Sequence, residues 1–412
     1  MNVVVVGGGL IGLSVAAECA AKNMSVTVLE GTAQERGASF GNAGMVVPSH
    51  FIPLAAPGMV ALGLKWMWNP ESPFYIQPRL DWELIRWGMQ FYRSANRSHV
   101  ARSEPLLRDL NMASRELYLE LSKQSSFGLV EKGLVMLCKN PKTLDAEAHV
   151  AERAKELGIP AEVLSAQQMA QLDPDVEMDI CGAIYFPKDC HLQPERFVRA
   201  QETRLQNSHA QLKWGCRALS FRVENNRIRA VVTSEGEIEG DEFVLASGAW
   251  STELARSLHL RLPMQAGKGY SVTLTNPKQL PQICSIFTEA RVAVTPMNGS
   301  LRFGGTMEIA GLNSNISKRR VQGIIRSVPQ YYPQFQESDF EGIEPWYGLR
   351  PCSPDGLPYL GRPKSWNNLV IATGHAMMGL SLAPITGKLG GQLVARETPS
   401  IAIEQLNPDR FG

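Results

Sequence analysis

Charge of one sign never accumulates in this sequence. Lys and Arg number 41 against 40 Asp and Glu, a formal net of +1, and no basic run is longer than Lys318-Arg319-Arg320. Such a chain has no electrostatic field to gather nucleic acid, which is rejected as a partner. Cysteine is scarce as well. The seven cysteines are odd in number and scattered, and Cys181, Cys190 and His191 lack a zinc-ligand spacing. They read as free thiols in a reducing compartment, with no metal. Internal repeats and low-complexity tracts are missing, and no unbroken apolar run reaches bilayer length. The nearest approach, Phe51 to Trp68 (FIPLAAPGMVALGLKWMW), is interrupted by Pro53, Pro57 and Lys65. A core segment or cavity lid is preferred there over an interfacial helix, because a Trp and Met stripe more often faces a core. The first apolar strand begins at residue 2, ahead of which no charged leader and cleavage site fit. The expectation is a cytoplasmic chain, with peripheral contact on the inner face of the cytoplasmic membrane left open.

What is present begins at the N-terminus, in MNVVVVGGGLIGLSVAAECAAKNMSVTVLE. Val3 to Val6 form a β-branched run suited to a buried parallel strand, Gly7, Gly9 and Gly12 spell G-x-G-x-x-G, and Leu10 to Lys22 has helical character. Val26 to Leu29 read as a second strand ending at Glu30, where a carboxylate can accept ribose hydroxyls. Gly7 makes the tight turn, Gly9 lets backbone approach a pyrophosphate, and Gly12 allows close helix–strand packing. Phosphate then sits on the helix N-terminus. Strand, glycines, helix, strand and acid in this order specify a dinucleotide-binding turn. No second G-x-G-x-x-G follows for a nicotinamide.

The composition, 44% hydrophobic and 20% charged over 412 residues, is ordinary for a globular chain long enough for two domains. Further on, Leu106 to Lys123, Leu144 to Leu157 and Pro194 to Gln206 read as helices, the last with Asp189 as cap, and Gly133 to Cys138 as a strand. Arg261 to Arg302 is a sheet-rich insertion. Short apolar strands at Glu242 to Leu245 and Leu369 to Ala372 run into the small-residue turns Ala246-Ser247-Gly248-Ala249-Trp250 and Thr373-Gly374-His375. Three glycine-bearing turns far apart in sequence are therefore expected to converge on one cofactor, in a Rossmann-like domain interrupted by substrate-domain segments.

These motifs resemble the FAD-dependent amino-acid oxidoreductases, the group of D-amino acid oxidase, glycine oxidase, sarcosine oxidase and D-amino acid dehydrogenase. The resemblance rests on VVVVGGGLIG with Glu30, the loop Ala38-Ser39-Phe40-Gly41-Asn42-Ala43-Gly44, VLASGAWS, Gly348-Leu349-Arg350-Pro351-Cys352-Ser353-Pro354-Asp355-Gly356, and Gly374 through Gly379. Within the group the bacterial D-amino acid dehydrogenases look nearest, on the AAPG of Ala55 to Gly58, the KWM of Lys65 to Met67 and Lys268-Gly269-Tyr270-Ser271. The resemblance implies an α/β fold. A discontinuous Rossmann-like FAD-binding domain (1–48, 145–258 and 341–412) would carry an inserted α+β substrate domain (49–144 and 259–340) on a mixed antiparallel sheet.

It also implies noncovalent FAD, held by Gly7, Gly9, Leu10, Ile11, Gly12, Glu30, Gly31, Ser39, Asn42, Ala43, Gly44, Met45, Arg217, Gly248, Trp250, Gly374, His375, Met378, Gly379 and Leu380. Cys352 does not fall on the position through which some sarcosine oxidases tether the flavin. The implied chemistry is hydride transfer from Cα to flavin N5, leaving an imine that water hydrolyses. Arg350 is the candidate carboxylate clamp, because a guanidinium fork matches a carboxylate. Tyr270 is either a second donor to that carboxylate or a half-buried strand tyrosine. His50 is a candidate to face the substrate, and the His375 turn to contact the flavin. The expected activity is oxidative deamination of a small D-amino or imino acid, D-proline-like ones included, with electrons passed to a quinone or other respiratory acceptor. A glycine or sarcosine-type oxidase using oxygen, or the flavin subunit of a hetero-oligomeric dehydrogenase complex, are the alternatives.

Overall fold

The computed structural model describes residues 1–33, 37–66 and 72–412. The apolar runs singled out above become the centre of a six-stranded sheet. Its order in space is Tyr359–Gly361, Leu369–Thr373, Glu242–Leu245, Asn2–Val6, Ser25–Glu30 and Gln211–Trp214. All pairs are parallel except the first. Both faces are covered, which is why these strands read as continuous rather than alternating hydrophobic runs. Val3 and Val5 join a core with Leu13 and Leu389, from the helices Leu10–Ala21 and Ala383–Val394. Val4 and Val6 instead meet Phe221 and Ile228 of a small three-stranded sheet.

The second sheet has nine strands. In order they are Trp346–Cys352, Gln265–Leu274, Ser300–Ile309, Val292–Met297, Cys284–Phe287, Leu134–Cys138, Gly182–Phe186 and Glu162–Ser165, with Phe74–Ile76 added on Ser300–Ile309. It is mixed: Cys284–Phe287 runs parallel to Leu134–Cys138, and Phe74–Ile76 parallel to its partner, while the other pairs are antiparallel. Val272, Leu274 and Phe303 pack on the helix Lys318–Tyr331 through Val321, Ile324 and Val328.

Sheet membership departs from the expected boundaries in two places. Glu162–Ser165 and Gly182–Phe186 fall within 145–258 yet pair in the nine-stranded sheet, where Ala183 and Ile184 are fully buried. Trp346–Cys352 falls within 341–412 yet forms that sheet's edge. Helix starts also move, to Asn96 and Asn140, whose side chains accept from the backbone N–H three residues on. The helix Pro194–Asn207 is preceded by Gln193, so Asp189 is not its cap.

Of the stretch 51–68, Met59–Trp66 is a helix whose Met59, Val60, Gly63 and Trp66 line the main cavity, the arrangement of a lid. Met67 and Trp68 lie outside the described residues. Among the described residues no helix is long and apolar enough to cross a membrane.

Candidate active site

Three adjacent parallel strands, Leu369–Thr373, Glu242–Leu245 and Asn2–Val6, end side by side, and their glycine-bearing turns open into one cavity of about 1490 Å³. Ligands of open α/β sheets bind in this place, beyond the carboxyl ends of the strands. The helix Leu10–Ala21 begins there with no side-chain cap at Gly9; Leu10 N donates to Ser39 Oγ at 3.0 Å, and the rest of the first turn leaves backbone donors for an anion. The glycines divide the work. A Cβ on Gly12 would sit 1.9 Å from the Gly7 carbonyl oxygen, whereas one on Gly9 would meet only Ser39 Oγ, at 3.3 Å, and otherwise project into the open cavity. Glu30 ends its strand in the cavity wall. Its carboxylate accepts from Gly8 N at 2.9 Å and Thr32 N at 3.0 Å, which fixes its orientation and leaves lone pairs for hydroxyl donors.

The loop 38–44 ties the two sheets together. Asn42 staples it from within, donating to Ser39 O at 2.8 Å and accepting from Gly44 N at 2.9 Å. The nine-stranded sheet holds its outer side: Ser271 donates to Gly41 O, Thr295 to Ala43 O and Arg302 to Asn42 O. Arg302 therefore latches the loop. On the far wall the turn 376–381 is braced by the helix Arg97–Ser122, whose Tyr118 donates to Leu380 O at 2.6 Å and Ser114 to Ser381 O at 2.6 Å. His375 is buried, with Nε2 3.0 Å from Thr386 Oγ1, while Nδ1 has no partner among the described residues. Burial pushes its pKa down to about 3, so the ring is neutral.

Arg350 projects from the edge strand Trp346–Cys352 into the same space. Its Nη1 donates to Thr306 O at 2.6 Å, and among the described residues it has no carboxylate partner. Burial lowers its pKa, as befits an unpaired cation in a desolvated site. Two backbone features make room for it. Gly269 lies directly beneath, where a Cβ would come within 2.1 Å of Nη1. Thr306, a β-branched residue, is held at φ +69°, a strained conformation beside a register shift in the strand pairing.

Tyr270 is among the residues around the cavity, on the strand next to that of Arg350, and its hydroxyl is already committed. It shares a face with Val272 and Leu274, the side packed on the helix Lys318–Tyr331, and donates to Glu308 Oε2 at 2.6 Å. Of the two readings of Tyr270, the structure has the strand tyrosine. The cavity-facing residues alternate with it: Gly269, Ser271 and Thr273.

His50 does line the cavity. Its Nδ1 is 3.0 Å from Ser49 Oγ, which donates to Asp189 Oδ2 at 2.5 Å, and Ser49 N donates to Asp189 Oδ1 at 3.0 Å. Burial, with Arg291 nearby, pushes His50 down to about 4, and burial pushes Asp189 up to about 7. Ser49 was not singled out from the sequence, and Asp189 only as a helix cap. The adjacency of Ser49 to His50 was the signal for the serine.

The expected cofactor residues otherwise come together. Gly7, Gly9, Leu10, Ile11, Glu30, Gly31, Ser39, Asn42, Ala43, Gly44, Met45, Arg217, Gly248, Trp250, His375, Met378, Gly379 and Leu380 all line the cavity. Gly12 and Gly374 do not. Gly12 serves helix packing, and Gly374, at φ +80°, carries the turn over Tyr359, 2.8 Å from where its Cβ would stand. Trp346 was missed. Its indole covers Gly41, where a Cβ would be 2.1 Å from the ring, so it closes the cavity between loop and sheet.

The comparisons with known proteins agree with this geometry. The chain is 30% identical over 390 residues to a D-amino acid dehydrogenase of Helicobacter pylori, covering 94% of this chain and 93% of that one. It is 29% identical over 423 positions to a D-amino acid dehydrogenase of Vibrio atlanticus (strain LGP32), across the whole of both. A solved glycine oxidase from Geobacillus kaustophilus shares the fold, with a TM-score of 0.80 at 23% identity over 99% of this chain and 98% of that one. A family model described as FAD dependent oxidoreductase matches residues 2–393. The cavity suits that cofactor, with the start of the helix Leu10–Ala21 for pyrophosphate and Glu30 for ribose. On the match along nearly the whole chain, the protein belongs to the FAD dependent oxidoreductase family.

Proposed function

We propose that this flavoenzyme oxidises a small D-amino or imino acid, D-proline-like ones included, and passes the electrons to a quinone or another respiratory acceptor. The observation that carries the reading is Arg350, a half-buried guanidinium that lines the cavity without a carboxylate partner among the described residues. A substrate carboxylate completes it as a charge-assisted forked pair. The names of the relatives support the substrate class and the dehydrogenase assignment.

Bound FAD supplies the hydride acceptor for the Cα hydrogen. The protein's part is to bind, orient and exclude water. Thr306 O fixes one Nη of Arg350, so the remaining donors meet the substrate carboxylate in one orientation. Met59, Val60, Trp66, Trp87 and Phe91 give the cavity an apolar cover. His50, tethered through Nδ1 to Ser49, offers Nε2 to the substrate nitrogen. No proton transfer to a histidine is required. His50 and His375 stay neutral above about pH 5, and the substrate ammonium gives its proton to solvent before hydride leaves. Asp189 reaches the cavity only through Ser49 and His50. Binding of FAD is noncovalent in this reading, because burial pushes the Cys352 thiol up to about 12 and withholds the thiolate an adduct needs.

The test is dye reduction by the purified yellow protein with both enantiomers of the amino acids, proline, hydroxyproline, glycine and sarcosine, alongside peroxide measurement. The expected result is rapid dye reduction by D-enantiomers or cyclic imino acids with little peroxide. Stoichiometric peroxide in air would make the protein an oxidase, and no reduction by any of these substrates would remove the amino-acid reading.

A further inference from the structure

The helix Trp82–Ser94 is apolar on two opposite faces. Its inner face is accounted for: Leu84, Trp87 and Phe91 pack with Leu54, Phe74 and Ile76, and Trp87 and Phe91 cover the flavin cavity. Its outer face is not. Trp82 is 70% exposed, Ile85 44%, Met89 46% and Tyr92 70%, and Leu80 just ahead of the helix is fully exposed. The spacing 82, 85, 89, 92 follows the three-and-four repeat of one helical stripe, so these side chains form a continuous apolar strip. Scattered exposed apolar side chains are ordinary, whereas a strip of this kind marks a contact surface.

Charge selects the occupant. Both acids beside the strip are neutralised: Asp81 caps the helix and pairs with Arg79 at 2.9 Å, and Glu83 pairs with Arg256. Arg86 and Arg93, each next in sequence to a strip residue, and Arg97 at the start of the following helix are exposed, with no acidic partner among the described residues. A second copy docking by a twofold axis would bring the same unpaired cations from both sides of the seam, with the acids beside the strip already engaged. An anionic lipid surface instead satisfies both the strip and its cationic flank, and Trp82 and Tyr92 have the amphipathic rings that settle at headgroup level.

We propose that the outer face of this helix docks the protein on an anionic bilayer and sets the cavity cover at the membrane surface, where a lipid-dissolved quinone reaches the flavin. The docking stands on the helix alone. Its purpose rests on the reading of a quinone-linked amino-acid dehydrogenase.

Holoprotein is floated with vesicles of equal parts phosphatidylcholine and phosphatidylglycerol, and with phosphatidylcholine alone, while water-soluble dye reduction is followed in parallel. The expected result is flotation with the anionic vesicles only, reduced at about 0.5 M salt and in Arg86→Gln/Arg93→Gln. The triple variant Trp82→Ser/Ile85→Ser/Tyr92→Ser should lower the bound fraction about tenfold and leave dye reduction in solution unchanged. Wild-type protein that stays unbound, or a triple variant that floats equally well, overturns the docking whatever the dye shows. Wild type sedimenting as a dimer and the triple variant as a monomer would give the strip to a second copy and overturn it too. Flotation without dye reduction by any amino acid would instead keep the docking and remove the amino-acid reading.

Discussion

At the nucleotide end of the cavity the ligand-facing groups, the Glu30 carboxylate apart, are backbone: the turns at Gly7 and Gly248 and the start of the helix Leu10–Ala21. At the substrate end they are side chains, Arg350, His50 and Trp346, each positioned by residues distant in the sequence. Thr306 holds Arg350, Asp189 holds Ser49 beside His50, and Gly41 seats Trp346. The first end is specified locally, by which residues lack a side chain. The second is specified by strand register, and a one-residue shift there would turn Arg350 away from the cavity.

Substitutions at the two ends should therefore fail differently. The largest expected effect is at the nucleotide end. Gly9→Val should fold and lose its flavin, because the added carbons enter the cavity rather than the protein. Gly12→Val should lose the fold instead, by about 3 kcal/mol or more, since its Cβ meets the Gly7 carbonyl. Flavin absorbance and thermal melts separate the two, and a flavin-replete Gly9→Val would show the turn to be misread.

At the substrate end, Gly269→Ala should keep flavin and lower kcat/KM by about ten- to a hundredfold, because the new methyl displaces the Arg350 guanidinium. Unchanged kinetics would mean that the position of Arg350 is immaterial. Tyr270→Phe should do little to kcat/KM and cost about 1 kcal/mol of stability, by leaving Glu308 without its donor. A large rise in KM with intact stability would return Tyr270 to the substrate.

The smallest effects concern pH. Burial depresses three histidines from 6.5, His50 and His191 to about 4 and His375 to about 3. Between those values and 6.5 the unfolded chain binds more protons than the folded one, so their contribution is full above 6.5 and fades on acidification. Asp189, raised from 3.8 to about 7, acts in the opposite sense over much of that window but is outnumbered. The melting temperature should rise from about pH 4.5 to 6.5, and a fall over that range would refute the neutral histidines. In kinetics, kcat/KM should climb to an alkaline plateau that His50→Asn leaves standing. A plateau lowered about a thousandfold with FAD still bound would make His50 a base.

The same contrast explains what could be read from the sequence. Val3 to Val6, the glycines and Glu30 declare themselves through local pattern, and the convergence of the turns at 248 and 374 followed from three apolar strands that each end in small residues. Arg350 was legible as a motif residue. The facing of Tyr270 was not, because strand alternation offers two faces and only pairing with Tyr347, on the side of the helix Lys318–Tyr331, chooses between them. Asp189 looked like a helix cap because capping is local, while its bond to Ser49 spans 140 residues. The segments 162–165 and 182–186 lie within 145–258 yet pair in the nine-stranded sheet, and strand composition does not reveal a strand's neighbour.

The clamp itself is best tested by pairing the best amino-acid substrate with the amine that lacks only its carboxylate, in wild type and Arg350→Ala, with flavin content checked in both. Wild type should favour the amino acid by about a thousandfold in kcat/KM, and Arg350→Ala should reduce that preference to within about tenfold, with Arg350→Lys between them. If Arg350→Ala keeps its flavin and the full wild-type preference for the carboxylate, Arg350 is not the clamp.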